Sequence, residues 1–217
     1  PGAARTAGPG DRGDDYLLRA FRTLVVDEAM GACNIRRAPY IRLMPDKPIS
    51  RGWKFWVLGD YETGCMVDIY MDDDFLRARD TTTLPEKFGG AVVTRFARHL
   101  EKKHHHFVAD RYFNNPNSAS KLHEIGNHTL TGTWDTRFQF PAPLLKLRSK
   151  KPTAQTPRGT MRAASAEGGR ILGWSFMDNA QCSMIDTHHG PQVTKVKRMM
   201  KDGPHAGSIQ EISAPMA

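Results

Sequence analysis

Two apolar runs in this chain stop on an aspartate, and they constrain the fold more than any other feature. Leu24, Val25 and Val26 have the β-branched, apolar character of a buried strand and lead straight into Asp27. Much further along, "HHHFVADRYF" (His104 to Phe113) has the same character and carries Asp110. A charge at the end of a buried strand costs free energy unless something uses it. Asp27 therefore has two readings. It closes a strand in a turn, or it is a carboxylate that meets ligating partners from elsewhere in the chain. If the two strands are neighbours, Asp27 and Asp110 meet at one edge of a sheet.

The elements around these runs are legible in outline. "YLLRAFRTLVVD" (Tyr16 to Asp27) begins with a helical turn before its strand, and a proline-containing loop follows to Gly52. "WKFWVLGD" and "CMVDIYMD" flank the turn "YETG" and predict a hairpin. Val92, Val93, Phe96 and Leu100 recur at helical spacing in a helix from Gly89 to Lys103. A second helix follows the Asp110 strand, with Asn115 or Asn117 near its start and Gly126 just past its end. "NHTLTGTW" is a further strand. Three strands, then helix, strand, helix and strand, predict an α/β fold with helices packed on a mixed sheet. The order resembles the ribonuclease-H-like fold of polynucleotidyl transferases.

After Arg137 the texture changes. "PAPLLKLRSKKPTAQTPRGT" is rich in proline and lysine, and "RILGWSFMD", "CSMIDTHH" and "QVTKVKRMM" read as short strands of a second, β-rich unit. We therefore expect a flexible tail over 1–15, a core over 16–136 and a basic β-rich insertion segment over 137–217. Charge follows that division. Residues 141–217 hold 11 Lys and Arg against 5 Asp and Glu, out of 31 and 23 in the whole chain, whose net charge is +8. This excess favours a polyanionic partner, nucleic acid first and an anionic membrane surface second. The basic stretches "KLRSKK" and "KVKRMMK" supply the candidate phosphate contacts Lys146, Arg148, Lys150, Lys151, Lys195, Lys197 and Arg198, unless they are an ordinary solvated face. Cys33, Cys65 and Cys182 are widely spaced and odd in number, which argues against a disulfide framework and a cysteine zinc site. No apolar run is long enough to span a bilayer.

Paired carboxylates at strand ends suit one chemistry in particular. Two Mg²⁺ ions roughly 4 Å apart activate an attacking oxygen and stabilise a leaving oxygen in phosphoryl transfer. Mg²⁺ takes oxygen ligands, a few of them carboxylates and the rest water and phosphate.

The ordered landmarks "LVVDEAM", "KPISRGWKFWVLGDYETGCMVDIY", "GGAVVTRFARHL", "HHFVADRYF" and "TLTGTWDTRF" together resemble the piggyBac-type transposase domain. The resemblance runs from about Leu24 to the C-terminus. It implies a nuclear cut-and-paste DNA transposase of the DDD/DDE type that uses Mg²⁺, with Mn²⁺ as a substitute. Asp27 matches the family's first catalytic and metal-binding acid, and Asp110 the second. DNA is the expected partner, no membrane is, and a homodimer of the full-length parent is a further expectation. Asn114 and Asn115 stand where the family has Thr-Ser, and Trp134 and Asp135 depart from its pattern, while Arg137 remains. The family's third acid lies in a Gly-Gly-Val-Asp landmark. "EISAPMA" looks like the approach to that landmark, so the third acid is expected beyond Ala217 and the chain is expected to be a fragment. Whether the chain is itself an enzyme stays open. The alternatives are a domesticated or decayed copy that binds DNA without catalysis, and another carboxylate–metal phosphoryl hydrolase.

Other residues have plainer readings. Asp178 in "WSFMDNA" is offered as a substitute third acid but reads more simply as a turn residue, as does Asp60 before "YETG", and Asp72, Asp73 and Asp74 read as a solvated acidic loop, with metal binding the lesser alternative. Glu28 points to the side of its strand opposite Asp27 and is not a main ligand. His104 to His106 are partly exposed at a strand start, with His188 and His189 similar, and Trp53, Trp56 and Trp174 belong to the core.

Overall fold

The computed structural model of the chain describes residues 22–72, 88–134, 147–199 and 207–216. Outside them fall the tail over 1–15, the helical turn from Tyr16, the acidic Asp73 and Asp74, Asp135, Arg137 and Lys146. Eleven strands and two longer helices are described. The strands are β1 (Thr23–Ala32), β2 (Arg42–Leu43), β3 (Arg51–Asp60), β4 (Met66–Met71), β5 (His106–Ala109), β6 (Thr129–Thr133), β7 (Met161–Ala166), β8 (Ile171–Met177), β9 (Gln181–Asp186), β10 (Val193–Met199) and β11 (Ile209–Pro215). The helices are α1 (Phe88–His99) and α2 (Pro116–Gly126). No helix among the described residues is long and apolar enough to cross a membrane.

Nine strands form one mixed sheet in the order β2-β3-β1-β5-β6-β9-β8-β7, with β4 also paired to β3. Its centre is parallel: β1 pairs β5, and β5 pairs β6. Both flanks are antiparallel. The expected mixed sheet with packed helices is thus present. The basic half behaves differently from the reading of a second unit, because β7, β8 and β9 continue the central sheet through the β6–β9 pairing. Among the described strands, β10 and β11 alone stand apart, as a two-stranded sheet. The physical reason is β8, which is buried at every position and needs cover on both faces.

Alternation along the central strands builds the core. Leu24, Phe107 and Leu130 lie side by side across β1, β5 and β6, and Val26 lies beside Leu58 of β3. All are essentially solvent-free and pack against Val92, Val93 and Phe96 of α1 and Leu122 of α2. Each such side chain contributes about 1.5–3 kcal/mol relative to exposure. The helices sit close: a Cβ on Gly90 of α1 would lie 2.2 Å from Ser118 Oγ of α2. Asn115 caps α2 by accepting from the Ser118 amide at 2.9 Å, as one of the two expected caps. At the other end Gly126 is still helical, and Asn127 takes the left-handed position at φ 51°.

Local details divide. The β3–β4 hairpin forms, and Asp60 is its turn residue, accepting from the amides of Glu62 and Thr63. Asp72 is not solvated: it is buried, 2.9 Å from Arg42 Nε and 3.1 Å from Trp56 Nε1. Trp56 and Trp174 are core residues, whereas Trp53 is half-buried and donates to the Pro39 carbonyl. The histidines were expected to be partly exposed, but His105 and His106 are buried because the strand turns them into opposite faces. His105 stacks on His128, and His106 packs 4.1 Å from His188 and 5.9 Å from His189, ring centre to ring centre.

Candidate metal and nucleic-acid site

The register of the parallel pair positions the two acids. Val26 pairs with Ala109, and the next residues are Asp27 and Asp110. Asp27 does not close its strand. β1 runs on to Ala32 because its antiparallel partner β3 continues to Gly52, while the pairing with β5 stops at Val26. Asp27 therefore sits where β1 loses its parallel neighbour. Val26 faces the helices, so alternation turns Asp27 to the opposite face.

Both aspartates are exposed. Asp27 Oδ1 accepts from the Glu28 amide at 2.7 Å. Asp110 Oδ1 accepts from the Tyr112 amide at 2.8 Å, and its carbonyl accepts from the Phe113 and Asn114 amides in a tight turn. Among the described residues the second oxygen of each carboxylate makes no hydrogen bond. Just behind Asp110, Asn114 Nδ2 donates to the Ala109 and Thr133 carbonyls and ties the ends of β5 and β6 together.

A divalent cation fits this donor set. Two hard carboxylates at neighbouring strand positions, each with a free oxygen, are what Mg²⁺ takes before water and phosphate complete its shell. Among the described residues no third His, Cys, Asp or Glu joins them in a ready-made metal site. Asp178 does not approach that role. It sits in the β8–β9 turn, where its amide donates to the Ala180 carbonyl and its carboxylate lies 3.4 Å from Arg198 Nε.

Beside the pair lies a charged cluster that the sequence did not reveal. Glu28 turns away from Asp27 and binds two lysines, with Lys47 Nζ at 2.7 Å and Lys54 Nζ at 2.7 Å. Burial alone would raise the Glu28 carboxyl, but the hydrogen bonds and charges of Lys47 and Lys54 outweigh it and hold it below the usual value. The Glu28 hydrogen bond, helped by the charges of Glu28, Asp27 and Asp110, holds the exposed Lys47 ammonium above its usual value. Lys54 lies over the Trp56 ring at 4.1 Å, and Trp56 stacks on Tyr112.

A cleft of about 570 Å³ opens next to Asp110, lined also by Arg111, Thr133, Lys150, Gln181 and Ser183. Lys150 reaches it because its own carbonyl accepts from the Gln181 amide at the start of β9. Arg148 and Lys151 are exposed on the same segment. The β10 cations are divided. Lys195 and Lys197 are exposed on one face, bonded to Ser213 and paired in register with Glu211 respectively, while Arg198 takes the other face and Asp178. Thus, of the six candidate phosphate contacts among the described residues, Lys150 lines the cleft beside an acid.

A family model described as "Transposase IS4" matches residues 15–214. No curated protein matches. Among solved structures, the piggyBac transposase in its synaptic complex with hairpin DNA, determined by cryo-EM, is similar with a TM-score of 0.65 at 20% identity. That likeness covers 81% of this chain and 35% of the other, so this chain spans about a third of the length of that one.

Proposed function

The chain belongs to the transposase IS4 family and has the fold of the piggyBac transposase, and from that premise we propose that it is a catalytic region for metal-dependent DNA strand cleavage and transfer. The observation that carries the reading is the parallel register that pairs Val26 of β1 with Ala109 of β5, after which Asp27 and Asp110 are the next residues. In this reading residues 16–136 are a ribonuclease-H-like core, supported by the parallel β1–β5–β6 centre, and 137–217 a basic segment added to it. Asp27 and Asp110 would hold Mg²⁺ or Mn²⁺, which supplies the charge that stabilises an attacking and a leaving oxygen in phosphoryl transfer. The chain's own residues do the rest. Asn114 and the Asp110 turn fix one carboxylate, and Lys150 and Arg111 offer charge to a phosphodiester in the cleft. DNA as substrate, a nuclear location and a homodimer of the full-length protein belong to the same proposal.

The experiment is a labelled duplex titrated with the protein, followed by fluorescence anisotropy, with and without Mg²⁺ or Mn²⁺. Affinity should rise with the cation, and the rise should vanish in Asp27→Asn with Asp110→Asn. DNA affinity indifferent to the cation would overturn the reading. A second reading, DNA binding without catalysis, is favoured by one observation: no third ligating side chain stands with the pair among the described residues.

A further inference from the structure

Asn114 is buried, and its side chain is held by one end only. Nδ2 donates twice, to the Ala109 carbonyl at 2.7 Å and to the Thr133 carbonyl at 3.0 Å. Those two acceptors fix which way the amide points, since the reverse would set its oxygen against two carbonyl oxygens. Oδ1 is then buried with no donor among the described residues. A buried acceptor without a donor costs free energy. A serine or threonine hydroxyl would donate once and leave no such carbonyl behind. What the asparagine adds is a second N–H, and that second N–H reaches a second strand. Gly132 makes room for it, because a Cβ there would lie 2.3 Å from Asn114 Nδ2.

The two carbonyls stand at the ends of β5 and β6, and from them a chain of hydrogen bonds crosses the cleft. Ala109 directly precedes Asp110, whose carbonyl accepts from the Asn114 amide at 3.3 Å. Thr133 lines the cleft and pairs with Met184 of β9. One residue on, the Trp134 amide donates to the Ser183 carbonyl at 2.9 Å, and at the start of β9 the Gln181 amide donates to the Lys150 carbonyl at 3.0 Å. Asp110 and Lys150 line the same cleft, and Asn114 is the side chain that ties the β5 end of this path to the β6 end. The charged groups lining the cleft are Asp110, Arg111 and Lys150, one anion against two cations. The cleft therefore already suits an anion, and a divalent ion on Asp110 would suit it further.

We propose that Asn114 is a positioning residue whose carboxamide keeps the Asp110 side of the cleft in register with the Lys150 side, so that a divalent cation on Asp110 and the Lys150 ammonium meet the same DNA phosphate. This rests on reading Asp27 and Asp110 as the metal-holding carboxylates. Neither partner needs the tie to act alone. Asp110 keeps its turn through the Tyr112 and Phe113 amides, and Lys150 is exposed and keeps its charge. Only their joint hold on one phosphate depends on the spacing between β5 and β6.

The test reads the coupling between cation and DNA on the 217-residue chain. Mn²⁺ binding alone is followed by the loss of the free Mn²⁺ signal in electron paramagnetic resonance. Affinity for a labelled duplex is followed by fluorescence anisotropy with and without Mn²⁺, and the ratio of the two affinities is the coupling. The variants are Asn114→Ser, Asn114→Thr, Lys150→Met, and Asp27→Asn with Asp110→Asn. The Asn114 variants should bind Mn²⁺ alone, and the duplex without Mn²⁺, as wild type does, while the coupling falls by roughly fivefold, a usual size for groups in one network. Lys150→Met should lower the coupling by a similar factor, and Asn114→Ser added to it should lower it no further. A merely structural Asn114 would lower the urea midpoint and leave the coupling of the folded protein unchanged, which overturns the proposal. Failure of both Asn114 variants to fold makes the residue structural and overturns it equally. Lys150 is exposed, so its variant folds in any case, and undiminished coupling there also overturns the proposal. These outcomes leave the site reading intact. A wild type without coupling, or coupling that survives the aspartate variant, overturns the site reading and this proposal with it.

Discussion

Acid should unfold this protein through its buried imidazoles. His106 is 7% exposed and His128 is 2% exposed. Burial, then the neighbouring His188, pushes His106 down from 6.5 to about 4, with His189 and Arg22 acting in the same direction and Asp186 opposing. Burial, then His105 and His104, pushes His128 down to about 4. The sign follows from linkage. Both rings are mostly neutral at pH 7 in either state, so little of their contribution is lost there. As pH falls below 6.5 the unfolded chain takes up protons that the folded chain refuses, and stability drops until about pH 4. At pH 5 each ring costs about 2 kcal/mol, and below pH 4 the loss levels off near 3 kcal/mol per ring. Two rings then remove a large part of the 5–15 kcal/mol typical of a domain. The assay is urea unfolding, followed by tryptophan fluorescence, at steps from pH 7.5 to pH 5. The midpoint should fall steadily, and His106→Gln should recover about half of the loss. A midpoint that stays level over this range, or an unchanged pH slope in His106→Gln, would refute the reasoning.

Other expectations are simpler to state. Replacing Lys146, Arg148, Lys150 and Lys151 with Ala should flatten the salt dependence of DNA affinity by up to about four units of slope in log K against log salt; an unchanged slope would make them a solvated face. In a supercoiled-plasmid assay with Mg²⁺ or Mn²⁺ the 217-residue chain should bind without nicking, because an ion held by two carboxylates is loosely placed and about 1 Å of misplacement costs on the order of a hundredfold in rate. Robust nicking that Asp27→Ala abolishes would show that the chain supplies its own third ligand. Gly132→Ala should destabilise the protein by more than about 3 kcal/mol in thermal or urea unfolding, since its Cβ would lie 1.9 Å from the Ala109 carbonyl oxygen and 2.3 Å from Asn114 Nδ2. A near-neutral Gly132→Ala would mean that the β5–β6 contact yields easily.

The strand-end aspartates were legible because composition changes abruptly there, and their chain order was enough to suggest neighbouring strands. Where β1 ends was not legible. Asp27 looks like a terminus, yet the strand carries on because β3 still pairs with it, and a partner strand leaves no mark on local sequence. β7, "MRAASA", was missed for a related reason: alanine and serine have little intrinsic strand preference, and β8 recruits them as an edge. The β10–β11 hairpin was half visible, since "QVTKVKRMM" alternates and "IQEISAP" does not advertise its pairing. Glu28 was placed on the correct side of β1 by alternation alone, but its lysines come from a loop and from β3. Likewise the His106–His188 contact joins β5 to the turn after β9, which no local pattern connects.

The mixed sheet also has a consequence for how the molecule assembles. The hairpins β3–β4, β7–β8, β8–β9 and β10–β11 pair residues close in sequence and close their loops cheaply. The parallel pairing of β1 with β5 joins segments separated by the β3–β4 hairpin and α1, and such distant pairings make folding slow. The two acids become neighbours only through that pairing. Their mutual repulsion is therefore met late on the folding path, when hairpins and helices already offer a surface to close upon. On the proposed metal-holding role of the pair, a divalent ion present during refolding should speed the last step more than the first.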